Sequence, residues 1–159
     1  MGLIERRPIK SPHRRRLFVT KEISDLLDGH AKPFGFGPNA ATTLVEKYLA
    51  GRPFRVGQKI LPAKTKKSER PEIEKLENLD EVWAFCVRRP GNGWRLFGRF
   101  IDPDVCVLLR AHSRDDLGRN YQQIAARTID DWHRILPNIE PLRARSLETY
   151  LSGAYDDED

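Results

Sequence analysis

The chain has 159 residues, with 28 Lys and Arg against 23 Asp and Glu for a formal net charge of +5, and 39% of it is hydrophobic. That suits one domain with modest extensions, and apolar runs such as Val105-Cys106-Val107-Leu108-Leu109 fall far short of the roughly 20 residues of a membrane-spanning helix. The start, charged from Glu5 onward, lacks the apolar core of a secretory signal, and Arg6 stands where a myristoylation site needs Ser or Thr, so a cytoplasmic protein is expected.

Residues 1–16 place Arg6, Arg7, Lys10, Arg14, Arg15 and Arg16 against Glu5 alone, with Pro8 and Pro12 between them, and read as a flexible basic arm. A single domain follows over 17–151. Leu17-Phe18-Val19 is a candidate strand, and Thr20 is placed to cap a short helix, Lys21 to Asp28, stopped by Gly29. Beyond a Pro- and Gly-rich loop, Asn39 can cap a second helix from Ala40 to Ala50, with Leu44, Val45, Tyr48 and Leu49 as its apolar stripe. Lys64 to Arg70 reads as an exposed basic loop.

Three strands then form an antiparallel meander: Val82 to Val87, Trp94 to Ile101 after the turn Pro90-Gly91-Asn92-Gly93, and Val105 to Ala111 after Asp102-Pro103-Asp104. Ile124, Ile129, Trp132, Ile135 and Leu136 recur at helical spacing, and Leu142, Leu147 and Leu151 suggest a last short helix. Residues 152–159 form a tail ending in Asp156, Asp157, Glu158 and Asp159; without those four charges the rest carries +9. The expected fold class is α+β: two N-terminal helices on a small twisted antiparallel sheet, the three-strand meander plus the short N-terminal strand, with C-terminal helices.

The chemistry is sought among the arginines. Alternation puts Arg95, Phe97 and Arg99 on one face of the second meander strand, and in the third strand it puts Arg110 and His112 with Cys106 and Leu108, opposite Val105, Val107 and Leu109. Guanidinium forks suit phosphate oxygens, which makes nucleic acid the first partner to consider. There is no nucleophile elbow, zinc pair, phosphate loop or dinucleotide fingerprint. Cys86 and Cys106 lie in strands and suit core filling, and the four histidines lack metal-ligand spacing, so no metal or cofactor is expected. What remains is metal-free chemistry on a phosphodiester, with arginines stabilising a phosphorane and a Tyr, His or Lys moving the proton.

The run Leu79-Asp80-Glu81-Val82-Trp83-Ala84-Phe85-Cys86-Val87-Arg88, then Gly93-Trp94-Arg95-Leu96-Phe97, then Asp104-Val105-Cys106-Val107-Leu108-Leu109-Arg110-Ala111-His112-Ser113-Arg114, resembles the RelE/ParE toxin superfamily of bacterial toxin–antitoxin systems, its phage-derived HigB-like members included. The similarity covers about residues 72 to 136. It implies a ribosome-dependent messenger-RNA endonuclease that inhibits translation, with a cognate antitoxin as partner; the alternatives are a ParE-like inhibitor of DNA gyrase or a non-catalytic nucleic-acid-binding relative. On this resemblance Arg95, Arg114 and Tyr121 are the expected catalytic residues, and His112 is the alternative to Tyr121 as carrier of the proton. Lys64, Lys66, Lys67, Arg88, Arg99 and Arg110 are the expected RNA-binding set. One departure is that Ala84 and Cys86 stand in the first meander strand where RelE-type toxins often carry lysines.

Overall fold

The computed structural model describes residues 2–9, 14–59 and 71–155. Its strands are β1 (Ile4–Arg6), β2 (Arg16–Val19), β3 (Phe54–Lys59), β4 (Ile73–Leu76), β5 (Trp83–Val87), β6 (Trp94–Asp102), β7 (Val105–Ser113) and β8 (Ala154–Tyr155). Its helices are α1 (Lys21–Leu27), α2 (Pro38–Leu49), α3 (Arg114–Leu117), α4 (Tyr121–Ile135) and α5 (Leu147–Tyr150). None of the described helices is long and apolar enough to cross a membrane.

The expected small antiparallel sheet is corrected. Strands β1-β2-β7-β6-β5-β4-β3 form a seven-stranded mixed sheet, and the two-residue β8 adds an eighth at the edge of β3. The meander β5-β6-β7 is its middle, while β2 pairs parallel with β7, and β3 pairs parallel with both β4 and β8. The added strands carry little sequence pattern because they are short and charged: Gly57 interrupts β3, and β4 is only Ile73-Glu74-Lys75-Leu76. Within the presumed flexible arm, residues 4–6 pair antiparallel with β2, Ile4 opposite Val19, and Arg16 bonds Glu5 at 2.8 Å. The acidic residues 156–159 lie outside the described residues.

Helices cover both faces of the sheet, α1 and α2 on one and α4 on the other. Thr20 caps α1 by accepting from the Ile23 amide, as its sequence suggests. The second helix starts two residues earlier than expected, because Pro38 fits the first helical turn, where its missing N–H costs nothing. These two helices bury Ile23, Leu27, Val45, Tyr48 and Leu49 against Trp83, Phe85, Leu96, Phe100, Cys106 and Leu108. On the opposite face α4 packs Tyr121, Ile124 and Ala125 on Ala84 and Phe97, and Trp132 on Val107 and Leu109.

A buried cation closes the end of the first layer. Arg15 is 1% exposed, and its guanidinium donates to the carbonyls of Tyr48 (3.0 Å), Arg52 (2.8 Å) and Ser152 (2.5 Å) beside the Asp104 carboxylate. Burial lowers its pKa and Asp104 opposes that shift. The C-terminal segment is further tied by Tyr150, whose hydroxyl donates to Glu81, and by Ser152, whose amide and hydroxyl donate to Asp104 at 2.9 and 2.7 Å.

The meander carries an irregularity that sets the positions of its side chains. Phe97 opposes Arg110, but the next residue, Gly98, opposes Leu108, so Leu109 is an extra residue in β7. A β-carbon at Gly98 would stand 1.8 Å from the Val107 carbonyl oxygen. Beyond this bulge the alternation of β7 is inverted. Ala111 joins the α1/α2 face, while Arg110 and His112 turn to the α4 face alongside Val107 and Leu109. The expected grouping of Arg110 and His112 with Cys106 and Leu108 is therefore corrected. Gly98→Ala should lower the free energy of unfolding by about 3 kcal/mol, read from urea denaturation, with Gly2→Ala, where no atom lies within 4 Å of the added methyl, as the neutral control.

Candidate functional site

The bulge gathers groups from three elements at one end of the α4 face. Register places Arg95 of β6 directly opposite His112 of β7, with Cys86 of β5 on the other side of Arg95. The Phe97 ring lies 6.0 Å from the His112 ring and 6.1 Å from the Tyr121 ring. Arg114 follows at the end of β7, its amide held by the Gly93 carbonyl at 2.9 Å, and its guanidinium sits 5.8 Å over the Tyr121 ring while donating to the Gly118 carbonyl at 3.0 Å. Arg95, His112, Arg114 and Tyr121, the four expected catalytic residues, thus lie at one end of the α4 face, with the His112 and Tyr121 rings against Phe97.

They differ in access and partners. Arg95 is 5% exposed; its Nη1 donates to the Trp94 carbonyl at 3.0 Å, and its Nε is enclosed with no acceptor among the described residues. Tyr121 is 2% exposed and its hydroxyl is enclosed, so it forms a wall of the site. His112 is half-buried with Nε2 enclosed and without a hydrogen-bond partner among the described residues. Burial, reinforced by the nearby Arg110 and Arg127 cations and opposed by Asp116 and Asp131, holds its pKa below the ordinary imidazole value. That environment favours the neutral imidazole, the form able to accept a proton.

The expected RNA-binding residues are dispersed. Arg99 is 1% exposed, donates to the Asp80 carbonyl at 3.1 and 2.6 Å, pairs with the Asp80 carboxylate at 3.0 Å and lies 5.5 Å over the Trp132 ring. It is a core tie rather than a contact surface. Arg110 is held by Asp131 at 2.6 Å, and Asp131 also takes Arg134 at 3.0 Å. Arg88 donates to the Pro71 carbonyl at 2.8 Å on the far side of the sheet centre. Lys64, Lys66 and Lys67 lie outside the described residues.

Sequence reasoning missed Arg127. It is exposed on α4, one turn before Asp131, and no carboxylate among the described residues stands at salt-bridge distance from it, from Arg95 or from Arg114. Its i, i+4 spacing to Asp131 was visible in the chain, but its place next to His112 depends on how α4 docks. Asp115 and Asp116, candidate metal ligands by type, lie in the first turn of α3, where Ser113 accepts from the Asp116 amide. Among the described residues no three or more His, Cys, Asp or Glu side chains come together as a metal site.

Comparison of the chain with protein-family models, with curated proteins and with solved structures finds no match in any of the three.

The His112 environment has a thermodynamic signature. Because the folded pKa is depressed, the unfolded chain takes up this proton first as pH falls. The stability contributed by neutral His112 is therefore complete above about pH 6.5 and is lost as pH falls through the folded value. Urea midpoints measured between about pH 5 and 8 should fall more steeply on acidification for the wild type than for His112→Gln.

Proposed function

We propose that the protein is an RNA-cleaving toxin of the RelE type, acting in the cytoplasm on messenger RNA held by the ribosome, with a cognate antitoxin that covers the site. The observation that carries this reading is the Arg95 side chain: a nearly buried guanidinium, next to a neutral imidazole, that no carboxylate of the described residues compensates. Buried charges are normally paired, and an uncompensated buried cation beside a base suits an incoming phosphodiester.

In this reading His112 takes the proton of a ribose 2′-hydroxyl through Nδ1, since Nε2 is enclosed. The 2′-oxygen forms a bond to phosphorus, and the bond from phosphorus to the 5′-oxygen breaks with its electron pair going to that oxygen. Water supplies the proton to the leaving oxygen, and the product is a cyclic phosphate. Arg95 and Arg114 stabilise the added negative charge in the phosphorane, and Tyr121 positions Arg114 through its ring face. The family resemblance supports the same residues, although the sheet is larger than it implies.

A second reading, a non-catalytic nucleic-acid-binding protein, is favoured by the enclosure of the Tyr121 hydroxyl, which leaves the site with one accessible proton-transfer group. A translation reaction containing the purified protein separates the two. Cleaved messenger ends are expected, and Arg95→Ala or Arg114→Ala should each slow their appearance by about 100-fold. Intact messenger together with salt-dependent RNA binding would select the second reading.

A further inference from the structure

Helix α4 runs back along β7. Its first residue, Tyr121, is at Phe97 and Arg114, near the end of the strand, and Trp132, near the helix end, is at Val107 and Leu109. The Asp131–Arg110 pair fixes the two elements in register between these points. From Asp131 back to Arg127 is four helical residues, about 6 Å along the axis. From Arg110 forward to His112 is two strand residues, about 6.6 Å. The two steps go the same way, so Arg127 stands level with His112, and its charge acts on that imidazole.

The two arginines flanking this point differ. Arg110 is committed to Asp131, itself shared with Arg134. Arg127 is exposed and no described carboxylate claims it. With Arg95, opposite His112 in the strand register, and Arg114, over the Tyr121 ring, it gives this end of the α4 face three guanidinium groups without a salt bridge to a described carboxylate, whereas the neighbouring Arg110 and Arg134 are both held by Asp131.

We infer that Arg127 is the substrate-anchoring residue of this site: from the exposed side of α4 it binds a backbone phosphate of single-stranded RNA neighbouring the one at Arg95, so that the strand lies along the β7–α4 seam across His112. The inference rests on the RNA-directed reading above. An arginine on a helix exterior recognises phosphate rather than base, so Arg127 sets affinity and register without selecting sequence. It is a binding residue that touches phosphate and not the reacting atoms, and its charge reaches the chemistry only through His112.

The test uses the full chain and a fluorescently labelled single-stranded oligoribonucleotide carrying 2′-O-methyl groups, which can bind but cannot be cleaved by the route above. Arg127→Ala should weaken binding by on the order of tenfold, equally for unrelated sequences, and reduce the slope of log affinity against log salt by about 0.7. Arg127→Lys should recover much of both. On unmodified messenger, Arg127→Ala should raise KM by a larger factor than it changes kcat, and any change in kcat should follow the shifted His112 midpoint in the pH profile. The geometry has its own readout: the His112 titration followed by NMR faces Arg95 on β6, Arg110 on β7, Asp116 on α3, and Arg127 and Asp131 on α4, and its midpoint should rise in Arg127→Ala. Unchanged affinity and salt slope in Arg127→Ala, while Arg95→Ala weakens binding, would overturn the anchoring role and leave the site reading intact. An unmoved His112 midpoint would overturn the placement. Binding that depends on Arg127 in a protein that cleaves nothing would sustain the inference and remove the catalytic reading instead.

Discussion

The carbonyl oxygen of Val107 occupies the space where any residue but glycine at the middle of β6 would put its β-carbon, and the path of the last strand follows from that close approach. Because Gly98 lets the two backbones meet there, β7 accommodates one extra residue, Leu109, and both Leu109 and Arg110 turn to the same side. Every side chain beyond that point changes face. Ala111, small and apolar, goes to the α1/α2 core, while Arg110 and His112 go under α4. Without the bulge, His112 would point into the layer built on Tyr48 and Phe85, and Arg95 would have no imidazole for a neighbour.

Three buried arginines show how the same charge is settled in different ways. Arg15 spends its donors on three backbone carbonyls and rests against the rings of Tyr48 and Phe54, with Asp104 at 3.4 Å. Arg99 combines the Asp80 carbonyl, the Asp80 carboxylate and the Trp132 ring. Burial lowers the pKa of both, and in both a carboxylate pulls the other way. Each joins segments distant in the chain: Arg15 links β2, the end of α2 and the C-terminal segment, and Arg99 links β6 to the 78–81 turn. That turn holds Asn78, Asp80 and Glu81 at positive φ, a conformation that costs energy for residues other than glycine. Arg99 and Arg143 on Asp80, with Tyr150 on Glu81, hold it in place. Arg95 has no such arrangement; its one acceptor among the described residues is the neighbouring Trp94 carbonyl. The proposed phosphate site lies at the one of these three cations that the described residues leave without a counterion.

Placement of α4 then decides what the cationic face becomes. An uncovered sheet would have presented Arg95, Arg99, Arg110 and His112 together as a broad basic surface. With Trp132 and Ile124 seated on it, the middle is dry and its arginines are sequestered by Asp80 and Asp131. On the α4 face, the end of the sheet where β7 passes into α3 and α4 begins keeps Arg95 and Arg114 without a salt bridge to any described carboxylate. The site is narrower than the charge of the sequence suggests, and it draws on the helix as well as on the strands.

Local signals were legible in the chain. The Thr20 cap, the apolar stripe of α2, the three meander strands and their turns follow from propensity, period and glycine placement, which act over a few neighbouring residues. Arg95, His112, Arg114 and Tyr121 could be named as candidates from the chain, but strand alternation put His112 on the face opposite to the one it takes. What the sequence by itself could not supply was the pairing between distant segments: β1 and β2 joining the far side of β7, β3 and β4 extending the sheet, and the two-for-one opposition at Leu109. Those depend on hydrogen bonds and close packing between residues many tens of positions apart, and a strand of four residues carries too little pattern to announce them. The chain alone determined which residues are able to bind phosphate; the tertiary structure decided which of them are already neutralised, because a guanidinium finds its carboxylate across the fold and not along the sequence.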